Sequence, residues 1–117
     1  MNNIVFAKFK NAKGSVRKVR PVLRLIRGMN ANEAMQLLPF VEKRSAENVL
    51  KTLQSAIANA KNNFALDESQ LFVAIAEADQ AMKAFRPRFT RGKVRGIERK
   101  WCHIKIGVSI NNIKEKE

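Results

Sequence analysis

Apolar and polar positions alternate near the start of the chain, where Val5, Ala7 and Phe9 are interleaved with Lys8 and Lys10. Period two predicts a strand with one dry and one cationic face. From residue 16 the period becomes helical: Val16, Val19, Leu23 and Ile26 recur at spacings of 3, 4 and 3, and Arg17, Arg20, Arg24 and Arg27 repeat that spacing one residue along. An apolar stripe and an arginine stripe therefore run side by side on one helix. Ser15 is placed to cap it and Gly28 to end it. Pro21 removes a backbone donor from its interior, at a cost of up to about 3 kcal/mol, which predicts a kink. Asn30 or Asn32 is expected to cap a short second helix through Leu38, closed by Pro39. A third helix starts at a Ser45 cap and keeps Ala46, Val49, Leu50, Leu53, Ile57, Ala60 and Phe64 in helical register. Its SAIANA block, residues 55–60, is small enough for a neighbour to pack closely.

Beyond a loop around Asp67 and Glu68, residues 71–78 form an apolar, partly β-branched run that reads as a buried strand. Near the end, Cys102, Ile104, Ile106, Val108 and Ile110 alternate with His103, Lys105, Gly107 and Ser109, which predicts a half-buried strand. These two strands bracket the segment KAFRPRFTRGKVRGIERK, residues 83–100. Antiparallel pairing would make that segment a long hairpin with Arg91 and Gly92 near its turn. Arms of roughly eight residues at about 3.3 Å each reach on the order of 25 Å, against a radius of gyration of about 13 Å for a domain of this size. The hairpin, residues 80–100, is thus expected to project from a single domain whose body comprises residues 1–79 and 101–117. With few apolar cross-strand pairs it would gain order mainly on a partner.

Charge sharpens this picture. The 117 residues hold 23 Lys and Arg against 10 Asp and Glu, a formal charge of +13. Eight basic residues precede the first acid, Glu33: Lys8, Lys10, Lys13, Arg17, Lys18, Arg20, Arg24 and Arg27. Eight more, Lys83, Arg86, Arg88, Arg91, Lys93, Arg95, Arg99 and Lys100, stand in the segment 83–100 beside one acid, Glu98. Residues 28–79 carry 4 basic and 7 acidic side chains, a net of −3. Unpaired ions cannot be buried without losing hydration, so both basic blocks need water or a polyanion. A strongly cationic domain concentrates next to phosphate. Phe85, Phe89, Gly92 and Gly96, set among the charges, allow base stacking and close backbone approach, as looped RNA requires. Plain phosphate neutralisation stays equally open for each arginine.

Other classes fit less well. Hydrophobic content of 45% suffices for a modest core, and the apolar runs are too short to span a bilayer. No charged, then apolar, then small-residue leader pattern opens the sequence, so the chain is expected to stay where it is made. Cys102 is the sole cysteine, which excludes an intramolecular disulfide and a cysteine metal cage and suits a reducing setting. Acid pairs occur at Asp67 with Glu68 and at Glu77 with Asp79, both in loop or strand-end positions; there is one histidine and no Gly-rich phosphate loop. Cys102 and His103 are adjacent on a strand and point to opposite faces, so Cys102 reads as core and His103 as surface or RNA-facing. Trp101 either stacks on a base or covers the root of the hairpin. Met29, Met35 and Met82 read as packing residues. Neither catalysis, a metal nor a cofactor is expected. The rival reading is a free nucleic-acid chaperone or architectural protein acting through charge alone.

Three segments carry a resemblance: VRKVRPVLRLIRGMNANEAMQLL (residues 16–38), VLKTLQSAIANAKNN (49–63) and MKAFRPRFTRGKVRGIERKWCHI (82–104). In order and spacing the chain resembles large-subunit ribosomal protein family 22, bacterial type, over nearly its whole length. The resemblance implies an α+β fold, with three helices packed on a small three-stranded antiparallel sheet and a long protruding basic β-hairpin. It implies a structural constituent of the large ribosomal subunit, found in the cytoplasm or in an organelle matrix or stroma. Lys83, Arg86, Arg88, Lys93, Arg95, Arg99 and Lys100 would contact rRNA from the hairpin, and the basic first helix, with Arg17, Lys18, Arg20, Arg24 and Arg27, would grip it from the body. The tip at Phe89, Thr90, Arg91 and Gly92 would approach the constriction of the nascent-peptide tunnel. Partners implied are several rRNA domains, neighbouring large-subunit proteins and the nascent polypeptide, with no membrane and no homo-oligomer. The chain departs from the family pattern at Gln80 and Ala81, where Gly-Pro is usual; at PRFTRGKV, residues 87–94, one residue longer; and at Trp101 and Cys102, where a small polar pair is usual.

Overall fold

The alternating segment at the start forms β1 (Val5–Lys13), with Val5 and Ala7 buried and Lys8 and Lys10 exposed. The computed structural model describes residues 4–90 and 93–110, and over 82–90 and 93–99 it describes the backbone alone. Three helices follow: α1 (Val16–Ile26), α2 (Ala31–Leu37) and α3 (Ser45–Phe64). Two long strands, β2 (Phe72–Thr90) and β3 (Lys93–Ser109), complete the fold. The sheet is antiparallel in the order β1-β3-β2, so the last strand lies in the middle. Three helices on a three-stranded antiparallel sheet make the α+β architecture that the resemblance implies.

The core forms where the strand and helix periods meet. Ala7 and Ala76 flank Ile106, and Val5 and Val73 flank Val108, so each inward row of β3 is covered from both edges. α3 lies against β1 and β3, and α1 against β2 and α3. Leu23, Ile26, Leu53, Ile104 and Ile106 are fully buried between these layers. Burial of each contributes about 1.5–3 kcal/mol relative to exposure. On the opposite face, Ile4 and Phe6 lie over Gly107, where a Cβ would come within 2.7 Å of Ile4 Cγ2 and 2.9 Å of Phe6 Cε1. The Lys105 ammonium sits 4.3 Å from the centroid of the Phe6 ring.

Three irregularities set which residues face inward, one of them a shift between Val73 and Ile75 in β2 that lets Val73 and Ala76, three positions apart, both enter the core. Between Phe9 and Ala12 the β1 register shifts, and Asn11 adopts a left-handed φ of 59°. Its backbone N–H donates to His103 Nδ1 at 3.1 Å, and Ala12 then enters the core opposite Cys102. In β2, Gln80 pairs with Cys102 and Lys83 with Lys100, so three steps on one strand oppose two on the other. Such a bulge bends a strand and increases its twist. It falls where the sequence changes from apolar to basic. Pairing then continues from Lys83 opposite Lys100 to Thr90 opposite Lys93, while Arg91 and Gly92 lie outside the described residues. The Cα atoms extend over 60 × 26 × 26 Å with a radius of gyration of 16.9 Å, against about 13 Å for a compact domain of this length.

Several local expectations need correction. Ser15 occupies the N-cap position of α1, but its side chain makes no capping bond. Pro21 lies inside α1 on its exposed side, where water can meet the Arg17 carbonyl it leaves unpaired. Asn30 rather than Asn32 caps α2, accepting from the Asn32 N–H at 3.0 Å. α2 ends at Leu37, one residue before the expected Leu38, and a 3-10 turn, Leu38–Phe40, follows it with Pro39 in its first turn, where a missing donor has no partner to lose. Ser45 is the first helical residue of α3, with Arg44 at the N-cap, and its hydroxyl donates to the Lys18 carbonyl at 3.2 Å. Phe64 is 61% exposed, because α3 outruns the sheet it packs on, and Ile110 is exposed beyond the last paired residue of β3.

Candidate nucleic-acid interface

The apolar stripe of α1 decides where its charges go. Val19, Val22, Leu23 and Ile26 are buried, which leaves Arg17, Lys18, Arg20 and Arg24 exposed on the outer surface. The helix is tied down at its end: Gly28, at φ 82°, donates its N–H to Val73 at 2.9 Å, and Val73 donates back to Met29 at 2.9 Å. Arg27 completes this tie by donating from Nη2 to the Ala76 carbonyl. One member of the arginine stripe therefore serves the fold, and the other three remain free for a ligand.

On β1, Lys8, Lys10 and Lys13 are all exposed and alternate with the inward residues, so they lie on the side of the sheet away from the helices. Lys8 stands opposite Lys105 across the ladder, and Lys13 opposite Trp101. The first basic block is thus split between two surfaces. In the second block, Lys100 is exposed at the base of the ribbon. Lys83, Arg86, Arg88, Phe89 and Thr90 take backbone positions on β2, and Lys93, Arg95 and Arg99 on β3, while their side chains lie outside the described residues, as Arg91 and Gly92 do altogether.

The two blocks meet at one place. Arg17 and Arg20 of α1 and Lys100 of β3 line a common cleft of about 410 Å³ together with Trp101. Residues 80 positions apart in the sequence thereby come to one site, because the Gly14 N–H donates to the Lys100 carbonyl at 3.1 Å and brings the start of α1 beside β3. Sequence reasoning placed Gln80 and Ser15 in no site, yet both line this cleft. The readable signal was Trp101 directly following the basic run.

Counter-charge is scarce. Among the described residues the single ion pair is Lys51 with Glu47 at 3.8 Å, an exposed i,i+4 contact on α3. Among the described residues, seven unpaired cations of the first block, Lys8, Lys10, Lys13, Arg17, Lys18, Arg20 and Arg24, face solvent, as expected of a surface that docks phosphate. Cys102 is fully buried, and that burial raises its thiol pKa, so it stays a protonated, inert core group. His103 is half-buried with Nδ1 accepting from Asn11, so it acts in the fold and pairs with no nucleophile. Among the described residues no group of three or more His, Cys, Asp or Glu side chains is gathered to hold a metal, and no helix is long and apolar enough to cross a membrane.

Fold and charge together define a cationic α+β domain with exposed arginines on α1. Residues 7–109 match the family described as Ribosomal protein L22p/L17e, and the chain belongs to that family. It is 47% identical over 109 residues to large ribosomal subunit protein uL22 of Acaryochloris marina, covering 92% of this chain and 90% of the relative. It is 43% identical over 107 residues to uL22 of Prochlorococcus marinus strain NATL1A, covering 90% and 84%. It is 44% identical over 101 residues to uL22 of Clostridium novyi, covering 85% and 90%. The chain is therefore a protein of the large ribosomal subunit, a structural component rather than an enzyme.

Proposed function

We propose that this protein binds large-subunit rRNA through α1, the outer side of β1 and the β2–β3 ribbon, and that the ribbon projects as a hairpin into folded RNA and helps line the nascent-peptide tunnel. The observation that carries this reading is the set of exposed, unpaired cations held by a buried apolar stripe on α1, beside a second basic block at Lys100. Arg17, Lys18, Arg20 and Arg24 grip phosphates from the body. The basic residues of 83–100 neutralise phosphates of several rRNA domains, with Phe89, Thr90, Arg91 and Gly92 toward the tunnel and the nascent chain. Docking releases counterions and orders the ribbon, so the mechanism is electrostatic assembly. Neighbouring ribosomal proteins complete the site, and the chain acts as a monomer.

Deleting residues 83–100 and following incorporation on sucrose gradients tests this reading. The body is expected to stay folded by circular dichroism but to remain outside the large subunit in high salt. Normal incorporation of the shortened chain counts against it. Sedimentation as a free pool that binds any nucleic acid supports the chaperone reading instead.

A further inference from the structure

Strict alternation continued from Val5, Ala7 and Phe9 would turn Asn11 and Lys13 toward the helices and Ala12 outward. The reverse is found: Ala12 is fully buried opposite Cys102, and Lys13 is exposed opposite Trp101. One extra residue between Phe9 and Ala12 makes the change of phase, and Asn11 absorbs it at a φ of 59°. Such a bulge takes a backbone N–H out of the ladder. That N–H, on Asn11, donates to His103 Nδ1 at 3.1 Å, a side chain 92 positions away on the central strand. Beyond the bulge the Gly14 N–H donates to the Lys100 carbonyl at 3.1 Å, so Lys13 is fixed from both sides.

His103 is half-buried and lies on the open face of the sheet, because Cys102 and Ile104 on either side of it are fully buried toward the helices. On that face Lys8 stands opposite Lys105 on the β1 side, while Glu77 and Asp79 hold the β2 side, opposite Lys105 and His103. A polyanion therefore meets this face over β1, where Lys8 and Lys13 are exposed. An imidazole nitrogen accepts only when it carries no proton, so the bond from Asn11 belongs to a neutral ring protonated on Nε2. His103 thus adds no charge of its own; what it can supply is the direction of a neighbour's. We infer that His103 is a positioning residue for RNA binding: its neutral ring holds the β1 bulge and so keeps the Lys13 ammonium on the open face with Lys8, aimed at phosphate. That role rests on the rRNA-binding reading above and adds to it a side chain that acts through another's charge.

His103 is the only histidine of the chain, so its ring signals are assigned at once. Heteronuclear NMR of the full chain is expected to show an unprotonated Nδ1 and a slowly exchanging Asn11 amide. Filter binding to transcribed large-subunit rRNA over a range of KCl concentrations gives the salt slope. Lys13→Gln should lower the log–log slope by about 0.7–0.9. His103→Ala should lower it equally, although no cation is removed, and should speed exchange of the Asn11 amide about 2- to 10-fold. In the double variant the slope should fall no further, since both changes act through one ammonium. His103→Asn, whose side-chain carbonyl can take the bond in place of Nδ1, should restore both readings, which general damage to the body would not allow. A slope unmoved by Lys13→Gln or by His103→Ala, or losses that add in the double variant, overturns the positioning role while the RNA-binding reading stands. Failure of the full chain to bind the transcript sinks that reading itself.

Discussion

The first basic block, on β1 and α1, and the second, on the ribbon, carry eight cations each, but α1 and the ribbon are held in place by different forces. On α1, the charges are aimed by what lies beneath them: Val19, Val22, Leu23 and Ile26 are buried, and the arginines have no other direction to point. On the ribbon, the backbone ladder from Lys83 opposite Lys100 to Thr90 opposite Lys93 supplies the order, without an apolar layer read from the sequence to support it. Hydrophobic burial pre-orients a charge before any RNA arrives. A backbone ladder carrying like charges repels itself and needs the polyanion to relieve that repulsion. On the proposed function, the body would be a preformed grip and the ribbon a partner-dependent one.

The most severe way to break this contrast is to remove the support under the arginines. Ile26→Ala should cost about 2–5 kcal/mol in urea unfolding and weaken RNA binding through loss of the body, although no cation has been touched. Gly107→Ala comes next. The new methyl would meet Ile4 and Phe6, and the overpacking should cost about 1–3 kcal/mol while leaving the salt dependence of RNA binding as it was.

Within the arginine stripe the comparison sharpens further. Arg27→Gln loses the bond to the Ala76 carbonyl and should cost about 1 kcal/mol of stability with a small effect on the salt slope. Arg24→Gln should do the reverse, leaving stability within about 0.5 kcal/mol and lowering the log–log salt slope by about 0.7–0.9. If both variants change the slope alike, the division of labour along α1 is wrong. The mildest test concerns Cys102. Burial raises its thiol above the ordinary value of 9.0, so the unfolded chain loses that proton first, and stability should fall as pH rises through the interval between the unfolded and folded values. In the native state below that interval, thiol reagents should modify Cys102 only as fast as the body opens.

Much of the architecture was readable because it depends on neighbours a few positions away. The 3, 4, 3 spacing of α1 located its buried face, and strict alternation at Cys102, Ile104, Ile106 and Val108 located the inward row of β3. Reading failed where a side chain had two possible partners. Ser45 looks like a cap from its local sequence, but the Lys18 carbonyl, 27 positions away, takes its hydroxyl. Arg27 looks like a fourth ligand in the stripe, but the Ala76 carbonyl claims it. Val22 lies off the stripe's simple spacing and is buried because α1 is covered by both β2 and α3.

From the sequence alone came the net charge, the division of that charge into two blocks, the helical and strand periods, and the absence of a disulfide or a paired-histidine site. These are properties of composition and of short-range spacing, which the backbone's few allowed conformations translate directly into faces. Tertiary structure alone decided that Arg17 and Arg20 share a cleft with Lys100 and Trp101, that Arg27 is spent on the sheet, and that β3 lies between β1 and β2. Those outcomes depend on contacts between residues tens of positions apart, which burial and strand order select together and which no local pattern encodes.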